Sequence, residues 1–303
     1  MVDLARIRHF DLTIVGRHGG PTRKGKLEAS IRRIGRLTKI ISQFSPDLAI
    51  SFCSPEASRV AFGLGIKHVV FSDSPHAEAV MRLALPFAQK LLIPWVIPKE
   101  EFARYGISEN DIVRYRAIDA AVIVKERHLP IPPNLGNHRK TVVIRLEESA
   151  AAYTLGKKIV SDKIISEFAR ETDRYNIIVL ARYRAQADRI RKEFDRKIKV
   201  VSKVVDGKSL LSGTSLFIGS GGTMTAEAAL MGVPTISYDA VPNYIEKYLV
   251  RVGLAKRETD ARKIVSLAKT MLERRVDNRE RARKILASME DPYPKLLSVI
   301  RSL

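Results

Sequence analysis

Short β-rich runs alternate with longer helical stretches along most of this chain. Residues 11–15 and 47–52 are predicted strands, and the apolar positions in residues 25–44 between them recur at helical spacing. Strands that alternate with helices in this way form parallel sheets, because each helix returns the chain to the same end of the sheet. The alternation therefore predicts an α/β fold.

The alternation is interrupted by residues 129–138, which are rich in Pro, Gly and Asn and contain no charged residue. Such a composition is typical of an interdomain linker. A length of 303 residues also exceeds the roughly 100–200 residues of one domain. We therefore expect an N-terminal domain in residues 1–128, a linker in 129–139 and a C-terminal domain in 140–303. Two Rossmann-like domains are predicted to face each other across a ligand-binding cleft.

Further elements are predicted at several points of both halves. The next strand of the first half is predicted at residues 68–72, and the strands of the second half at 141–146, 176–180, 198–201, 216–219 and 234–237. After a helix that ends near residue 253, two helices separated at residues 291–294 are predicted to close the chain.

The composition narrows the possible partners and environments. The chain has 53 Lys and Arg against 33 Asp and Glu, a net charge of +20. This excess favours polyanions or an anionic membrane surface, although abundant charge with few Gln and Asn is also typical of thermophilic proteins. A single cysteine, Cys53, excludes an intrachain disulfide and a cysteine-based zinc site. No signal peptide or membrane-spanning apolar run is visible, so we expect a cytoplasmic protein.

The most informative segment is 216–237, in which a predicted strand runs through Gly-Ser-Gly-Gly directly into a predicted helix. Free N–H groups at a helix start attract an anion, and Gly221 and Gly222 let a phosphate approach the backbone. Glu227, one turn into the helix, can accept hydrogen bonds from ribose hydroxyls. The alternative is that Ser220 or Thr223 merely caps the helix. The segment is not a P-loop, because no Gly-Lys-Ser/Thr follows.

This segment resembles the pyrophosphate-binding segment of the GT-B superfamily. It is similar to that of the glycosyltransferase that adds N-acetylglucosamine to the peptidoglycan lipid precursor, and to that of the UDP-N-acetylglucosamine 2-epimerases. In the transferase a Glu seven residues after the Ser holds the ribose, and Ser220 and Glu227 keep this spacing. The resemblance implies that the donor diphosphate binds the backbone of residues 220–223.

Residues 17–20, 54–65 and 72–78 resemble an archaeal family of unknown function with a GT-B-type fold, over residues 11 to about 253. A GT-B first domain normally opens with a strand and a glycine-bearing loop, and residues 11–15 resemble a later strand. The resemblance therefore implies that the first domain lacks one or two N-terminal βα units, either because the chain is truncated or because the domain is reduced.

Candidate catalytic residues lie in the first half. His18 follows a predicted strand beside two glycines and can act as a base near neutral pH. Alternatively, it is a loop histidine without a functional role. Asp73, His76 and Glu78 follow the strand at residues 68–72, where ligands bind in open parallel sheets. Alternatively, Asp73 or a neighbouring serine caps the next helix. No metal-ligand set is apparent, and no metal is predicted.

Arginines follow two predicted strands of the second half. Arg145 ends the first of these strands, and Arg182 follows the next. An arginine at this edge can bind a diphosphate through two hydrogen bonds. The alternative is that both are ordinary surface arginines, which are common in so basic a chain. By position alone, Tyr238, Asp239 and Asn243 are further candidates to contact the sugar.

These features together predict a nucleotide-sugar enzyme, with a metal-independent glycosyltransferase that uses a UDP-type donor as the leading hypothesis. No cofactor is expected, and the acceptor is a lipid-linked or other glycan. The alternatives are an epimerase-like enzyme and a non-catalytic nucleotide-sugar-binding protein, while nucleic-acid binding has no motif to support it. The basic face of the helix at residues 25–44 suggests peripheral contact with an anionic membrane, unless its apolar face packs on the sheet and its arginines are solvated.

Overall fold

A computed structural model of the chain describes residues 2–20, 22–126, 139–147, 160–194, 198–202, 204–238, 243–274 and 276–303. The predicted linker lies outside these ranges except for its last residue. The strands are β1 (Leu48–Ser51), β2 (Lys67–Phe71), β3 (Lys90–Pro94), β4 (Ile112–Tyr115), β5 (Lys140–Arg145), β6 (Tyr175–Leu180), β7 (Lys199–Val201), β8 (Leu216–Gly219), β9 (Thr235–Ser237) and β10 (Ala255–Arg257).

The α-helices lie before and between these strands and after the last of them. They are α1 (Val2–Ile7), α2 (Arg23–Phe44), α3 (Pro55–Gly63), α4 (Glu78–Ala84), α5 (Glu100–Ala103), α6 (Asp119–Lys125), α7 (Ser161–Phe168), α8 (Arg184–Phe194), α9 (Gly207–Ser212), α10 (Thr223–Leu230), α11 (Tyr244–Arg251), α12 (Ala261–Glu273), α13 (Arg279–Ala287) and α14 (Pro292–Arg301). None of these described helices is both long enough and apolar enough to cross a bilayer.

The first sheet contains β1 to β4, all parallel and in chain order. Its inner strands are continuous apolar runs, which parallel strands need when both of their faces are covered. Leu91 and Ile93 pack with α4 and α5 on one face, whereas Leu92 packs with α6 on the other. Strand β1 has β2 on one side and lies at the edge of the sheet.

The second sheet has the parallel order β10-β9-β8-β5-β6-β7. Its central strands β5, β6 and β8 are buried on both faces, between two apolar clusters that include α7 and α12 on one side and α9 and α10 on the other. The order places β5, the first strand of this half, in the middle, with later strands added on either side. This arrangement is typical of a doubly wound nucleotide-binding domain.

The two halves pack directly on each other through α6 and α10. Ala120 and Ala121 of α6 share an apolar cluster with Ala226 and Ala229 of α10, and such small side chains let two helices approach closely. The chain end also returns to the first half, since the backbone N–H of Glu290 donates to the carbonyl of Arg116 over 3.0 Å. The start of α10 therefore has a defined position relative to the first sheet.

Two predictions about the elements are wrong, and one strand of the second half was not predicted. Residues 11–15 do not form a strand: they lie in an irregular stretch that pairs with no described strand and in which Leu12 and Ile14 are exposed. The C-terminal region contains three helices, α12 to α14, instead of two. It also contains β10, a three-residue edge strand beside β9 that is too short and too polar for its pattern to be recognised.

Candidate functional site

The carboxyl ends of β5 and β8 meet at the centre of the second sheet, where the strand order reverses. Arg145, the last residue of β5, is paired in the ladder with Gly219, the last residue of β8. Ligands of open parallel sheets bind outside the carboxyl ends of the strands at such a reversal. The glycine turn predicted to bind a diphosphate therefore lies where this kind of fold binds its ligands.

The turn between β8 and α10 leaves helix N–H groups open. Gly221 and Gly222 have φ values of +81° and +80°, a region that glycine adopts readily. Gly222 is the N-cap of α10, and none of the described side chains accepts a hydrogen bond from the first turn of this helix. No heavy atom lies within 4 Å of a Cβ placed on Gly222. The alternative that Ser220 or Thr223 caps the helix is therefore wrong.

Other helices of this half have side-chain caps. The Glu147 carboxylate accepts hydrogen bonds at the start of α7, from the N–H groups of Val160 at 2.8 Å and Ser161 at 3.2 Å. Asp206 caps α9, and Asn243 caps α11. An acidic or amide side chain thus satisfies the anion-attracting end of each of these helices, whereas the same end of α10 is available for a ligand.

Arg145 and Arg182 both lie along this carboxyl edge. Arg145 donates to the carbonyl of Ala181 over 3.3 Å, and Arg182 Nε donates to the carbonyl of Leu146 over 3.3 Å. The Ser220 hydroxyl is directed at the same Leu146 carbonyl, at 3.5 Å. The structure therefore brings both predicted arginines and the predicted serine together around the ends of β5 and β8.

Tyr238 is buried and forms hydrogen bonds to residues of this edge, so it is not placed to contact a sugar. Its buried hydroxyl donates to the carbonyl of Arg145 over 2.7 Å and lies 3.2 Å from a carboxylate oxygen of Glu147. Burial and the neighbouring Glu147 charge raise the pKa of Tyr238 well above its usual value. Asn243 caps α11, and Asp239 lies outside the described residues. The suggestion that Tyr238 and Asn243 contact the sugar is therefore not supported by their positions.

Glu227 lies buried behind the glycine turn, with 8% of its surface exposed. Its Oε2 lies so close to Gly207 that a Cβ there would approach it to 2.9 Å, which a side chain at residue 207 could not tolerate without a shift. Burial raises the pKa of Glu227 to about 7, and the charge of Asp206 adds to this rise while that of Arg8 opposes it. The protein stabilises the ionised form of Glu227 poorly, so hydrogen bonds donated by the hydroxyls of a ligand would stabilise that form.

Sequence reasoning missed the residues that surround Glu227. Arg8, just after α1, forms ion pairs with Glu126 at the end of α6 and with Asp206 at the start of α9. These residues are far apart in the chain and share no motif, so no local pattern could have found them. Together they link the N-terminal segment, the first half and the second half beside the predicted ribose site.

Asp73 lies at the carboxyl edge of the first sheet, just after β2, and accepts a 2.6 Å hydrogen bond from the Ser74 hydroxyl. Asp119, at the start of α6 after β4, accepts a hydrogen bond from the Tyr115 hydroxyl. Burial first, and then the charge of Asp73, raise the pKa of Asp119 to about 6. The structure therefore adds a second carboxyl group, Asp119, which sequence reasoning missed. The N-cap of the next helix is Ala77, so the alternative that Asp73 or Ser74 caps it is wrong.

The three other catalytic candidates are exposed. His18 Nδ1 accepts a 3.0 Å hydrogen bond from the N–H of Gly20 within its own loop. His76 also lies at the surface, and Glu78 forms an ion pair with Arg82 along α4 at 2.8 Å. His76 and Glu78 follow Asp73 closely in the chain, whereas His18 lies in the irregular stretch before α2. Unlike the partly buried Asp119, all three are exposed.

A cavity of about 700 Å³ lies at the other end of the first sheet, lined by Ile41, Leu48, Lys67 and Leu303 among others. It adjoins the amino ends of β1 and β2, where open parallel sheets do not bind their ligands, so we do not assign the site there. Among the described residues, no three His, Cys, Asp or Glu side chains are arranged to hold a metal ion.

Comparison with known proteins identifies a family that spans almost the whole chain. The profile of a family described as "Protein of unknown function (DUF354)" matches residues 1–301. The uncharacterised protein MJ0665 of Methanocaldococcus jannaschii is 30% identical over 288 residues, which cover 91% of this chain and 82% of that protein. The family and the relative account for almost the whole chain, including both sheets.

Solved structures with the same fold are sugar-nucleotide proteins of the GT-B type. The UDP-GlcNAc 2-epimerase of Neisseria meningitidis, bound to UDP-GlcNAc, matches with a TM-score of 0.68 and 15% identity, over 91% of this chain and 82% of that one. Anabaena HepE in complex with UDP-glucose matches with a TM-score of 0.65 and 14% identity, over 100% and 89%. The fold is thus GT-B-like, as the sequence predicts.

Proposed function

Because the chain belongs to the DUF354 family of proteins of unknown function, we propose its activity from its own site: it is a nucleotide-sugar enzyme that acts as a metal-independent glycosyltransferase with a UDP-type donor. The observation that carries the proposal is the uncapped start of α10 behind Gly221 and Gly222, at the reversal of strand order. UDP-sugars are the ligands of the structural neighbours, which supports this choice of donor.

In the proposed complex the donor diphosphate binds the N–H groups of residues 221–223. The positive end of the α10 dipole and the guanidinium groups of Arg145 and Arg182 stabilise the charge that develops on the leaving diphosphate. Glu227 accepts hydrogen bonds from the ribose hydroxyls. Glycine is required at residue 222 because the phosphate must approach the backbone there.

The acceptor hydroxyl is activated from the first half. We assign the base to Asp73 or Asp119, since these two carboxyl groups interact and lie at the carboxyl edge of the first sheet. The carboxylate takes the proton of the acceptor hydroxyl while the hydroxyl oxygen forms a bond to the anomeric carbon of the sugar. The bond from that carbon to the diphosphate oxygen breaks, and the nucleoside diphosphate leaves with the electron pair.

The same carboxyl groups favour a second candidate, a UDP-sugar epimerase-like enzyme. A pair of coupled carboxyl groups can remove a proton from a sugar carbon and return one, and several structural neighbours are 2-epimerases. The two candidates share the nucleotide site and differ in whether an acceptor is needed.

A thermal-shift panel of UDP-, GDP- and TDP-sugars tests the shared site, because a ligand that binds the native state raises the melting temperature. With the responding sugar nucleotide, acceptor-dependent release of the nucleoside diphosphate supports the transferase. Solvent deuterium incorporation into the sugar without an acceptor supports the epimerase. Binding with neither reaction supports a non-catalytic sugar-nucleotide protein, and no response from any nucleotide contradicts the proposal.

A further inference from the structure

The apolar stripe of α2 is only partly covered by the protein. Ala29 is the one buried residue among the described side chains of this helix, whereas Leu27 and Ile31 are 61% and 60% exposed. The packing of α2 against α3 covers one part of the stripe and leaves these two residues, one turn apart, in solvent. The expectation that the helix buries its apolar face therefore does not hold for its N-terminal half.

Exposed apolar side chains are concentrated in this part of the molecule. Eleven of the sixteen large hydrophobic residues that the described chain exposes lie in residues 10–64. Apolar side chains scattered singly over a surface need no explanation, but a local concentration marks a contact surface. The excess lies around α2 and the neighbouring edge of the first sheet.

The exposed side of α2 is also strongly basic. The helix contains seven Lys and Arg residues and one acidic residue, Glu28. Lys24, Arg32, Arg36 and Lys39 are exposed along the same helix as Leu27 and Ile31. Lys24 and Arg32 each lie 4.0 Å from the Glu28 carboxylate in exposed ion pairs, which a single acidic residue cannot neutralise fully. Arg33 is less accessible, because its guanidinium forms an ion pair with Glu56 at 2.5 Å and hydrogen bonds to the carbonyls of residues 15 and 17.

We propose that this exposed side of α2 is a docking surface for an anionic lipid bilayer. Leu27 and Ile31 insert at the boundary between head groups and acyl chains, while Lys24, Arg32 and the two further cations contact the lipid phosphates. Apolar residues beside a dense basic face are typical of helices that lie in the membrane interface. The positive charge matches the negative surface of such a bilayer, and it opposes pairing with a second copy of this basic chain.

The surface lies beside the acceptor side of the proposed site. The ion pair between Arg33 and Glu56 joins α2 to the first turn of α3, which starts just after the carboxyl end of β1. An acceptor held in the bilayer would therefore reach the first sheet at its carboxyl edge. The docking surface uses side chains separate from the nucleotide site, so either proposal can fail without the other.

Sedimentation with vesicles tests this surface on the full chain. We expect wild-type protein to sediment with vesicles of equal parts phosphatidylglycerol and phosphatidylcholine, and to remain in solution with phosphatidylcholine alone. Replacing Lys24, Arg32, Arg36 and Lys39 by Gln should reduce the bound fraction at least tenfold. The double variant Leu27→Gln/Ile31→Gln should release the protein at a lower salt concentration than wild type, because it loses the apolar contribution.

A matched control variant distinguishes binding through the α2 surface from binding through the net positive charge of the whole protein. Lys192, Arg262, Lys263 and Arg283 are exposed cations on other helices, and their replacement by Gln changes the net charge equally. This variant should keep most of the binding. The proposal is overturned if wild type does not bind the anionic vesicles, or if the control variant loses as much binding as the α2 variant. It is also overturned if the apolar double variant dissociates an oligomer and leaves vesicle binding unchanged.

Discussion

The raised pKa of the Glu227 carboxyl group predicts that binding of a sugar nucleotide at the proposed site depends on pH. We expect the affinity for UDP-N-acetylglucosamine to decrease as the pH falls through 7, and the variant Glu227→Gln to lose this dependence. An ionised carboxylate is a stronger acceptor for ribose hydroxyls than the neutral acid, so binding favours the form of Glu227 that has lost its proton. The diphosphate of a sugar nucleotide does not itself titrate in this range, which leaves the protein as the source of the effect.

The magnitude follows from the pKa of about 7 for Glu227. At pH 5 roughly 1% of the group is ionised, so binding should be weaker than at pH 8 by up to about 100-fold, or about 2.7 kcal/mol. The stability of the fold depends on pH in the opposite direction. A carboxyl group whose pKa rises on folding stabilises the fold below about pH 4.5, and this stability is lost as the pH increases through 7. Glu227→Gln should therefore stabilise the protein at pH 8 by up to about 3 kcal/mol.

Isothermal titration calorimetry between pH 5 and pH 8 measures the affinity, and urea unfolding at both pH values measures the stability. Glu273→Gln, an exposed change on α12, is the matched control and should behave like wild type. Glu227 does not bind the ribose as an ionised carboxylate if wild-type affinity stays within twofold over this range, or if Glu227→Gln has the same pH dependence as wild type.

Three further predictions concern the backbone and one cap. Gly222→Val should weaken sugar-nucleotide binding at least tenfold in calorimetry. The control Gly65→Val, at φ +69° and also in open space, should lower stability by a similar amount and leave the affinity unchanged. Equal losses of affinity in the two variants would disprove the role of Gly222 in phosphate binding. Glu147→Ala should cost about 1–3 kcal/mol in urea unfolding because two N–H groups of α7 lose their acceptor, and no loss would show that this cap is dispensable. Gly232→Ala should lower the melting temperature markedly, because its Cβ would lie 2.5 Å from Cα of Arg279 at φ +76°; an unchanged melting temperature would contradict this packing.

The parts of the fold that could be predicted are those with a local signature. Strand β8, the glycine turn and α10 follow one another without a gap, so the chain direction alone places the glycines at a helix start. The open N-terminus of α10 and the reversal at β5 required the structure, because both depend on which strands are neighbours. The wrong strand at residues 11–15 has the same cause: an apolar alternating run becomes a strand only where a partner strand offers its ladder.

The candidate site was predictable only where it follows a single motif. Gly222 and Glu227 lie seven residues or fewer from Ser220, and their spacing indicates a role. Asp119 and Arg8 act through residues distant in sequence, and an isolated Asp or Arg has no pattern that distinguishes it from a surface residue. Asp119 follows an apolar strand at the same edge as Asp73, which was the one available signal.

A crystal structure of the chain with bound UDP would show whether the start of α10 holds the diphosphate. We expect the diphosphate oxygens to accept hydrogen bonds from the backbone N–H groups of residues 221–223, and the ribose hydroxyls to donate to Glu227. A diphosphate bound at another helix, a ribose turned away from Glu227, or crystals that bind no nucleotide at saturating UDP would contradict the proposed site.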